Sequence, residues 1–191
     1  MIIGITGGTG CGKTTLLRCI AEKGGVILDC DAIYHDLLQT DKALLAAIEA
    51  RFPGVVEDGV LQRKKLGQIV FADEQALQDL NNITHTAVKA QVLRQLASQP
   101  KLAAIDAIGL FEGDLAELCD TTVAITAPVE DRVRRLMARD GISEAYARQR
   151  IAAQRSNEAF SALCHHTLEN DGDICAFMAK CLAFLQEFGI M

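Results

Sequence analysis

The sequence lacks both the long apolar runs that cross membranes and the paired cysteines that hold structural zinc. No stretch of about 18 or more apolar residues occurs among its 191 residues, so we expect no transmembrane helix. Its first residues carry no basic segment ahead of an apolar run, so we expect no signal peptide. The seven cysteines form no Cys-x-x-Cys pair and are odd in number, which favours reduced thiols and a cytoplasmic protein.

An excess of positive charge is also absent. The 19 lysines and arginines are outnumbered by 25 aspartates and glutamates, which gives a net charge of −6. Nucleic acids and anionic membrane surfaces attract basic proteins, so we expect neither as a partner. The 50% of hydrophobic and 23% of charged residues are typical of a globular protein. We expect a monomer or a weak homo-oligomer that acts on small molecules.

Residues 7–14, Gly-Gly-Thr-Gly-Cys-Gly-Lys-Thr, form a phosphate-binding loop motif. The motif follows an apolar run that predicts a buried strand, and it opens a helical pattern that ends at Gly24-Gly25. Glycines let backbone N–H groups converge on a polyphosphate, and the helix adds its positive N-terminal end. Lys13 can reach the β- and γ-phosphates, and Thr14 can ligate Mg²⁺. The motif therefore predicts a site for ATP and Mg²⁺ formed by Gly8, Gly10, Cys11, Gly12, Lys13, Thr14 and Thr15.

The pattern of the whole chain predicts an α/β fold of the P-loop NTPase type, a three-layer fold that contains one parallel five-stranded sheet. Short apolar or β-branched runs predict the strands, at residues 1–5, 26–29, 102–108, 121–126 and 167–169. Residues 33–98 are helix-patterned, with breaks at 52–54 and 58–59 and no confident strand. We therefore predict a nucleotide-binding core of residues 1–32, 99–130 and 156–191, a helical substrate domain of residues 33–98, and a helical lid of residues 131–155.

Two carboxylates, Asp29 and Asp31, follow the second predicted strand. Ligands of open parallel sheets bind beyond the carboxyl ends of the strands, and residues two apart on a strand point to the same side. We therefore expect both carboxylates to face the phosphate loop, where one could accept the proton of a hydroxyl acceptor. A solvated turn or a helix N-cap is the alternative. A GTPase would need a guanine-reading Asn-Lys-x-Asp, which the sequence does not contain.

Seven of the 19 basic residues lie between positions 132 and 155. Arg132, Arg135 and Arg139 are spaced so that they share one face of a helix. Two helical patterns joined by Asp140-Gly141 predict a lid whose arginines offset the charge of a transferring phosphate and which excludes water. A solvated basic face is the alternative for most of these arginines.

With these motifs the chain resembles the dephospho-CoA kinases over nearly its full length. This family phosphorylates the ribose 3′-hydroxyl of dephospho-CoA with MgATP, which is the last step of coenzyme A biosynthesis. Besides the phosphate loop, the resemblance rests on residues 29–31, 61–71, 85, 110–112, 137–140, 150–154 and 170–172. The family fold, a P-loop core with an inserted coenzyme A domain and a lid, agrees with the organisation predicted above.

The resemblance implies roles for individual residues. Lys13, Asp31 and Arg139 match catalytic positions, with Asp31 as the general base, and Asn170 matches a position beside the adenine of ATP. The implied substrate-binding residues are Asp31, Arg63, His85 and Glu112. Without the resemblance, His85 is more typical of a structural histidine, and residues 170–172 are equally typical of a turn.

The chain departs from the family pattern at Cys11, Thr86, residues 108–109 and His165. Cys11 replaces a serine, and because it lies at a helix N-terminus beside Lys13, we expect a lowered thiol pKa and a reactive thiol. A glycine at position 109 could loosen the turn that delivers Glu112. Two other functions stay open, namely another small-molecule or nucleoside monophosphate kinase with the same core, and a nucleotide-dependent regulatory module without a phosphoryl acceptor.

Overall fold

The computed structural model describes residues 1–191, which contain both strands and helices. In chain order the elements are β1 (Ile2–Thr6), α1 (Lys13–Glu22), β2 (Val26–Asp29), α2 (Cys30–Thr40), α3 (Lys42–Arg51), β3 (Val56–Glu57), β4 (Val60–Leu61), α4 (Arg63–Val70), α5 (Glu74–Leu96), β5 (Ala103–Asp106), β6 (Thr121–Thr126), α6 (Val129–Asp140), α7 (Glu144–Ala152), α8 (Asn157–Leu163), β7 (His166–Glu169) and α9 (Ile174–Glu187). They divide between two compact units, the first of residues 1–28 and 100–191 and the second of residues 29–99.

Five strands form one sheet in the order β2-β5-β1-β6-β7. Strand β1 pairs in parallel with both β5 and β6, so that Gly4 lies opposite Ile105 on one side and Thr122 on the other. Strand β1 is almost completely buried, which is usual for a central parallel strand covered on both faces. The predicted α/β class and the parallel five-stranded sheet are confirmed, and each strand begins within one residue of its predicted start.

A hydrophobic core in the first unit joins the sheet to α1 and α9. Its fully buried members include Ile3, Ile5, Leu16, Ile20, Val123, Ile125, Cys181 and Leu185. Burying an aliphatic side chain of this size stabilises a fold by about 1.5–3 kcal/mol. The core therefore holds α1 firmly against the sheet, with its N-terminus at the carboxyl end of β1.

The second unit consists of helices α2 to α5 and a small antiparallel hairpin of β3 and β4. The long helix α5 packs against α2, α3 and α4. The prediction of a purely helical segment at residues 33–98 was wrong at the hairpin. Asp58 and Gly59 have φ angles of +52° and +76°, and two successive residues with positive φ form the turn that suits a two-residue hairpin.

No helix has both the length and the apolar character that a membrane span requires. All seven cysteines carry free thiols, and Cys175 is the exposed one among them.

Candidate functional site

Residues 7–12 connect the end of β1 to the start of α1, and their glycines allow close packing. Gly7, Gly10 and Gly12 have φ angles of +138°, +79° and +97°, which side-chain-bearing residues rarely adopt. A Cβ atom on Gly7 would lie 2.2 Å from the carbonyl oxygen of Ile125 in β6. The loop can therefore approach the sheet only because glycine stands at this position.

Lys13 opens α1 and folds back over the loop. Its Nζ donates to the carbonyl oxygen of Gly7 at 3.2 Å and lies 3.8 Å from Oδ1 of Asp106. The Lys13 and Asp106 side chains are each 16% exposed, so this cation and anion pair partly shielded from water. Thr14 is exposed and Thr15 half-buried in the first turn of the same helix.

Asp106 is a site residue that sequence reasoning missed. It is the last residue of β5, opposite Ile5 of β1, so it stands at the carboxyl edge of the sheet beside the loop. The available signal was an apolar run that ends in a carboxylate, because in a parallel sheet such an end faces the ligand.

Two of the three arginines predicted on one face of α6 hold the backbone of the loop. Arg132 donates through Nε to the carbonyl oxygen of Thr9 at 2.9 Å. Arg135 donates through Nη1 to the carbonyl oxygen of Gly10 at 3.1 Å and through Nη2 to that of Asn170 at 3.4 Å. Hydrogen bonds from these guanidinium groups therefore hold the backbone of the loop against α6.

Arg139, the third arginine, is 61% exposed and pairs with the neighbouring Asp140 instead. Asp140 accepts from Nε of Arg139 at 2.6 Å and from Nη1 of Arg150 at 2.7 Å. The hydrogen bonds from Arg139, followed by those from Arg150, lower the pKa of Asp140 to about 2. One carboxylate thus holds two arginines of the predicted lid side by side.

Helices α6 and α7 form a hairpin around a small core of their own. Val133 and Leu136 of α6 pack on Ala147 and Ile151 of α7. Gly141, with a φ angle of +65°, ends α6, and the hydroxyl of Ser143 accepts from the N–H of Tyr146 at the start of α7. A further helix, α8, follows where no element was predicted, and Ser156 caps it.

Asn170 is 4% exposed and directly follows β7. Its Nδ2 donates to the carbonyl oxygen of Cys11 at 2.8 Å. A Cβ atom on Gly12 would lie 2.3 Å from this Nδ2 atom, so the amide and the loop pack in direct contact. The implied place of Asn170 beside adenine stays a prediction, whereas its contact with the loop is a feature of the structure.

The expectation of a reactive thiol at Cys11 was wrong. Cys11 is fully buried, and this burial raises the pKa of its thiol, although the charges of Arg132 and Lys13 partly oppose the rise. The predicted influence of Lys13 on the thiol pKa is present, but Cys11 also belongs to the hydrophobic core of the first unit, whose members include Val123 and Phe177 from distant parts of the chain.

Glu112 lies in the turn region after β5 and pairs with Arg155, whose Nε and Nη2 atoms are 2.9 Å and 2.7 Å from its Oε1. Two contacts are present at the departure of residues 108–109. Thr6 donates through its hydroxyl to the carbonyl oxygen of Ile108 at 3.1 Å, and Leu110 is fully buried. His165, another departure, accepts at Nδ1 from the N–H of Thr122 at 3.2 Å.

The two second-unit carboxylates do not share one side of a strand. Asp29 is the last residue of β2 and caps α2, because its Oδ1 accepts from the N–H of Ala32 at 3.0 Å. Helix α2 begins at Cys30, so Asp31 stands exposed in the first helical turn. The N-cap alternative therefore holds for Asp29, and the expectation based on strand alternation was wrong.

Arg63 and His85 both lie on helices of the second unit. Arg63 begins α4, and its Nη2 is 3.1 Å from Nδ1 of His35, which sequence reasoning did not single out. His85 is half-buried in α5, and the neighbouring Thr86 donates through its hydroxyl to the carbonyl oxygen of Asn82 at 2.8 Å. A hydroxyl that binds the helix backbone in this way is compatible with an unbroken α5 where the family has proline.

Comparison with known families gives a match over most of the chain. A family model described as dephospho-CoA kinase matches residues 1–176. The dephospho-CoA kinase of Thermobifida fusca is 36% identical over an alignment of 174 positions, which covers 89% of this chain and 87% of that protein. The dephospho-CoA kinase of Carboxydothermus hydrogenoformans is 34% identical over an alignment of 193 positions, which covers 98% of this chain and 94% of that protein.

Solved structures give the same result. A Thermus thermophilus protein superposes with a TM-score of 0.81 at 31% identity, over 98% of this chain and 97% of that one. The dephospho-CoA kinase of Campylobacter jejuni has a TM-score of 0.68 at 25% identity, over 100% of this chain and 98% of that one. Shikimate kinase of Acinetobacter baumannii, at 19% identity and a TM-score of 0.52 over 98% and 92% of the two chains, shares the fold.

Proposed function

The chain belongs to the dephospho-CoA kinase family, and we propose that it transfers the γ-phosphoryl group of ATP to the ribose 3′-hydroxyl of dephospho-CoA. The observation that carries the proposal is the phosphate loop with Lys13 folded over it, in a chain that matches the family over residues 1–176. We place this reaction in the cytoplasm.

On the ATP side, the loop and the N-terminus of α1 bind the phosphates. The amide-rich loop and the helix end supply partial positive charge, and Lys13 adds a full charge directed at the β- and γ-phosphates. The Lys13 ammonium is already held over the loop by Gly7 and Asp106, which restricts its freedom before the nucleotide binds. Such preorganisation strengthens the stabilisation of developing charge.

The oxygen ligands that Mg²⁺ prefers are available beside the loop. Thr14 offers an exposed hydroxyl in the first turn of α1, and Asp106 offers a carboxylate at the end of β5. These two residues fit the ion and would hold it. When bound, Mg²⁺ supplies the charge that neutralises the phosphate oxygens during transfer.

On the acceptor side, Asp31 orients the 3′-hydroxyl and accepts its proton as the oxygen attacks phosphorus. The exposed position of Asp31 in the first turn of α2 supports this role, because the carboxylate is accessible and lies two residues beyond the end of β2. By the resemblance to the family, we assign Arg63, His85 and Glu112 to the binding of dephospho-CoA.

The lid arginines stabilise the transferring group. Arg139 and Arg150 are held together by Asp140, so both charges are positioned before the reaction. Phosphate oxygens can replace Asp140 as their partner when charge builds up in the transition state. We assign the binding of ATP to Gly8, Gly10, Cys11, Gly12, Lys13, Thr14, Thr15 and Asn170.

An acceptor panel tests the proposal. ADP release is measured with MgATP alone and with dephospho-CoA, AMP, CMP or shikimate added. We expect strong stimulation by dephospho-CoA and none by the other three. Stimulation by AMP or CMP would identify a nucleoside monophosphate kinase, and slow hydrolysis that no acceptor stimulates would indicate a regulatory module.

The role of Asp31 is tested by Asp31→Asn, with Asp36→Asn on the same helix as the control. Removal of a general base lowers kcat by about 10²–10⁴-fold, so Asp31→Asn should lose this much while Asp36→Asn keeps normal turnover. Near-normal turnover of Asp31→Asn would remove Asp31 from the proton-accepting role.

A further inference from the structure

The α6–α7 hairpin is fastened to the phosphate loop at both of its ends. Arg132, near the start of α6, donates through Nε to the carbonyl oxygen of Thr9 at 2.9 Å. Gln154, just beyond α7, accepts at Oε1 from the N–H of Thr9 at 2.8 Å. The same Oε1 accepts from Nη2 of Arg132 at 3.3 Å. Both backbone polar groups of Thr9 are therefore bound by side chains from opposite ends of the hairpin.

Two loop glycines make room for this arrangement. A Cβ atom on Gly8 would lie 2.2 Å from Nη2 of Arg132 and 3.1 Å from Oε1 of Gln154. A Cβ atom on Gly10 would lie 3.0 Å from the carbonyl oxygen of Arg132. Glycine is therefore required at both positions so that α6 can pack against the loop. This requirement is separate from the access that glycines give to the phosphates.

The Arg132 side chain is 2% exposed and carries its positive charge into the interior. Burial of a charge is unfavourable unless hydrogen bonds compensate it, and here the Thr9 carbonyl and the Gln154 amide oxygen accept. Both acceptors are neutral, so they do not neutralise the positive charge of the guanidinium group. This charge therefore lies next to the loop that we propose binds the phosphates of ATP. Its influence there is visible at Cys11, where Arg132 opposes the burial-driven rise in thiol pKa more strongly than Lys13 does.

We propose that Arg132 and Gln154 are positioning residues for ATP binding, which hold Thr9 and thereby couple the conformation of the phosphate loop to the α6–α7 hairpin. Because the hairpin leaves the core near Arg132 and rejoins it near Gln154, a movement of the hairpin is transmitted to both backbone polar groups of Thr9. This inference rests on the proposed function of the loop as the ATP site.

The test uses the whole chain and the half-buried Gln154, whose replacement leaves the arginine in place. Gln154→Leu removes the acceptor of two hydrogen bonds, and Gln149→Leu on the exposed face of α7 is the matched control. The Kd for MgATP is measured by calorimetry, together with Tm and with kcat and KM for dephospho-CoA. We expect Gln154→Leu to raise the Kd for ATP about tenfold and to change the KM for dephospho-CoA by less than about twofold. Gln149→Leu should change neither.

A purely structural role for Gln154 predicts a different pattern, in which Tm falls while the folded variant binds ATP with the wild-type Kd. That result would overturn the inference. Arg132→Lys keeps the charge but loses the paired hydrogen bonds, and a wild-type Kd in that variant would overturn it as well. If Arg132→Lys does not fold, the Kd of Gln154→Leu for MgATP is sufficient to test the inference. If the wild type does not bind ATP, the proposed function is refuted. If the wild type binds ATP and Gln154→Leu binds it with the same Kd, only this inference is refuted.

Discussion

The contact between Gly12 and Asn170 allows a sharp prediction about the substitution Gly12→Ala. Gly12 has a φ angle of +97°, and a left-handed conformation at an alanine costs about 1–2 kcal/mol. The new Cβ atom would also lie 2.3 Å from Nδ2 of Asn170, so this buried amide must move. Its 2.8 Å hydrogen bond to the carbonyl oxygen of Cys11 is then lost, which leaves buried polar groups unpaired at a cost of about 1–3 kcal/mol.

Gly24→Ala is the matched control. Gly24 has a similar φ angle of +77°, but a Cβ atom there would meet nothing within 4 Å. Both variants therefore carry the backbone strain, and only Gly12→Ala displaces a neighbour. We expect Gly12→Ala to lose about 2 kcal/mol more of the free energy of unfolding than Gly24→Ala does, which corresponds to a Tm lower by about 4–8 °C.

The assay is thermal unfolding of wild type, Gly12→Ala, Gly24→Ala and Asn170→Ala, together with the double variant Gly12→Ala/Asn170→Ala. Because Asn170→Ala removes the group with which the new Cβ atom collides, the excess loss should disappear in the double variant. Equal decreases in Tm for Gly12→Ala and Gly24→Ala would contradict the prediction. It would also be contradicted if Gly12→Ala lowered Tm as much in the Asn170→Ala background as in the wild type.

Three further results are expected. In a time course with iodoacetamide, followed by peptide mapping, the exposed Cys175 should react before the buried Cys11, whose pKa is raised by burial; faster labelling of Cys11 would contradict this. The pKa of Asp140 is lowered from its ordinary 3.8 to about 2, so its ion pairs stabilise the fold above pH 3.8 and that contribution is lost as the pH falls through about 2. Thermal unfolding measured from about pH 6 downwards should show a higher Tm for wild type than for Asp140→Asn at pH 6, and this difference should vanish below about pH 2. A Tm difference that does not depend on pH would contradict the prediction. Asp106→Asn should raise the Mg²⁺ concentration for half-maximal kinase activity about tenfold or more, and an unchanged Mg²⁺ dependence would exclude Asp106 as a ligand.

The sheet could be predicted from sequence because its strands are short apolar or β-branched runs bounded by polar or glycine-containing turns. The same local reasoning identified the loop at residues 7–12 and the helix that follows it. It missed the hairpin of β3 and β4, since strands of two residues are too short to show alternation. The remaining signal was the Asp58-Gly59 turn, which alone is also compatible with a break between two helices.

The misplacement of Asp29 and Asp31 has a different physical cause. A helix begins at Cys30 without an intervening loop, so the two-residue periodicity of the strand stops at Asp29. A strand-to-helix junction of this kind shows no glycine or proline in the sequence. Aspartate is a favoured N-cap residue, and this preference decided the local structure.

The environment of the phosphate loop could not be predicted from nearby residues. Arg132, Gln154 and Asn170 lie more than 100 residues further along the chain than the loop atoms that they bind. Helical periodicity placed Arg132, Arg135 and Arg139 on one face of α6 but did not reveal that two of them bind the loop backbone. The burial of Cys11 was missed for the same reason, because the core to which its side chain belongs includes Val123 and Phe177, far along the chain.

Identification of the product is the most direct test of whether the chain phosphorylates the ribose 3′-hydroxyl of dephospho-CoA. The protein is incubated with MgATP and dephospho-CoA, and the position of the new phosphate is determined by phosphorus–proton NMR, with a Lys13→Met variant as the inactive control. We expect a single product phosphorylated at the ribose 3′-hydroxyl, formed by the wild type and not by Lys13→Met. A phosphate at another position, or no phosphorylated product while ATP is hydrolysed, would contradict it.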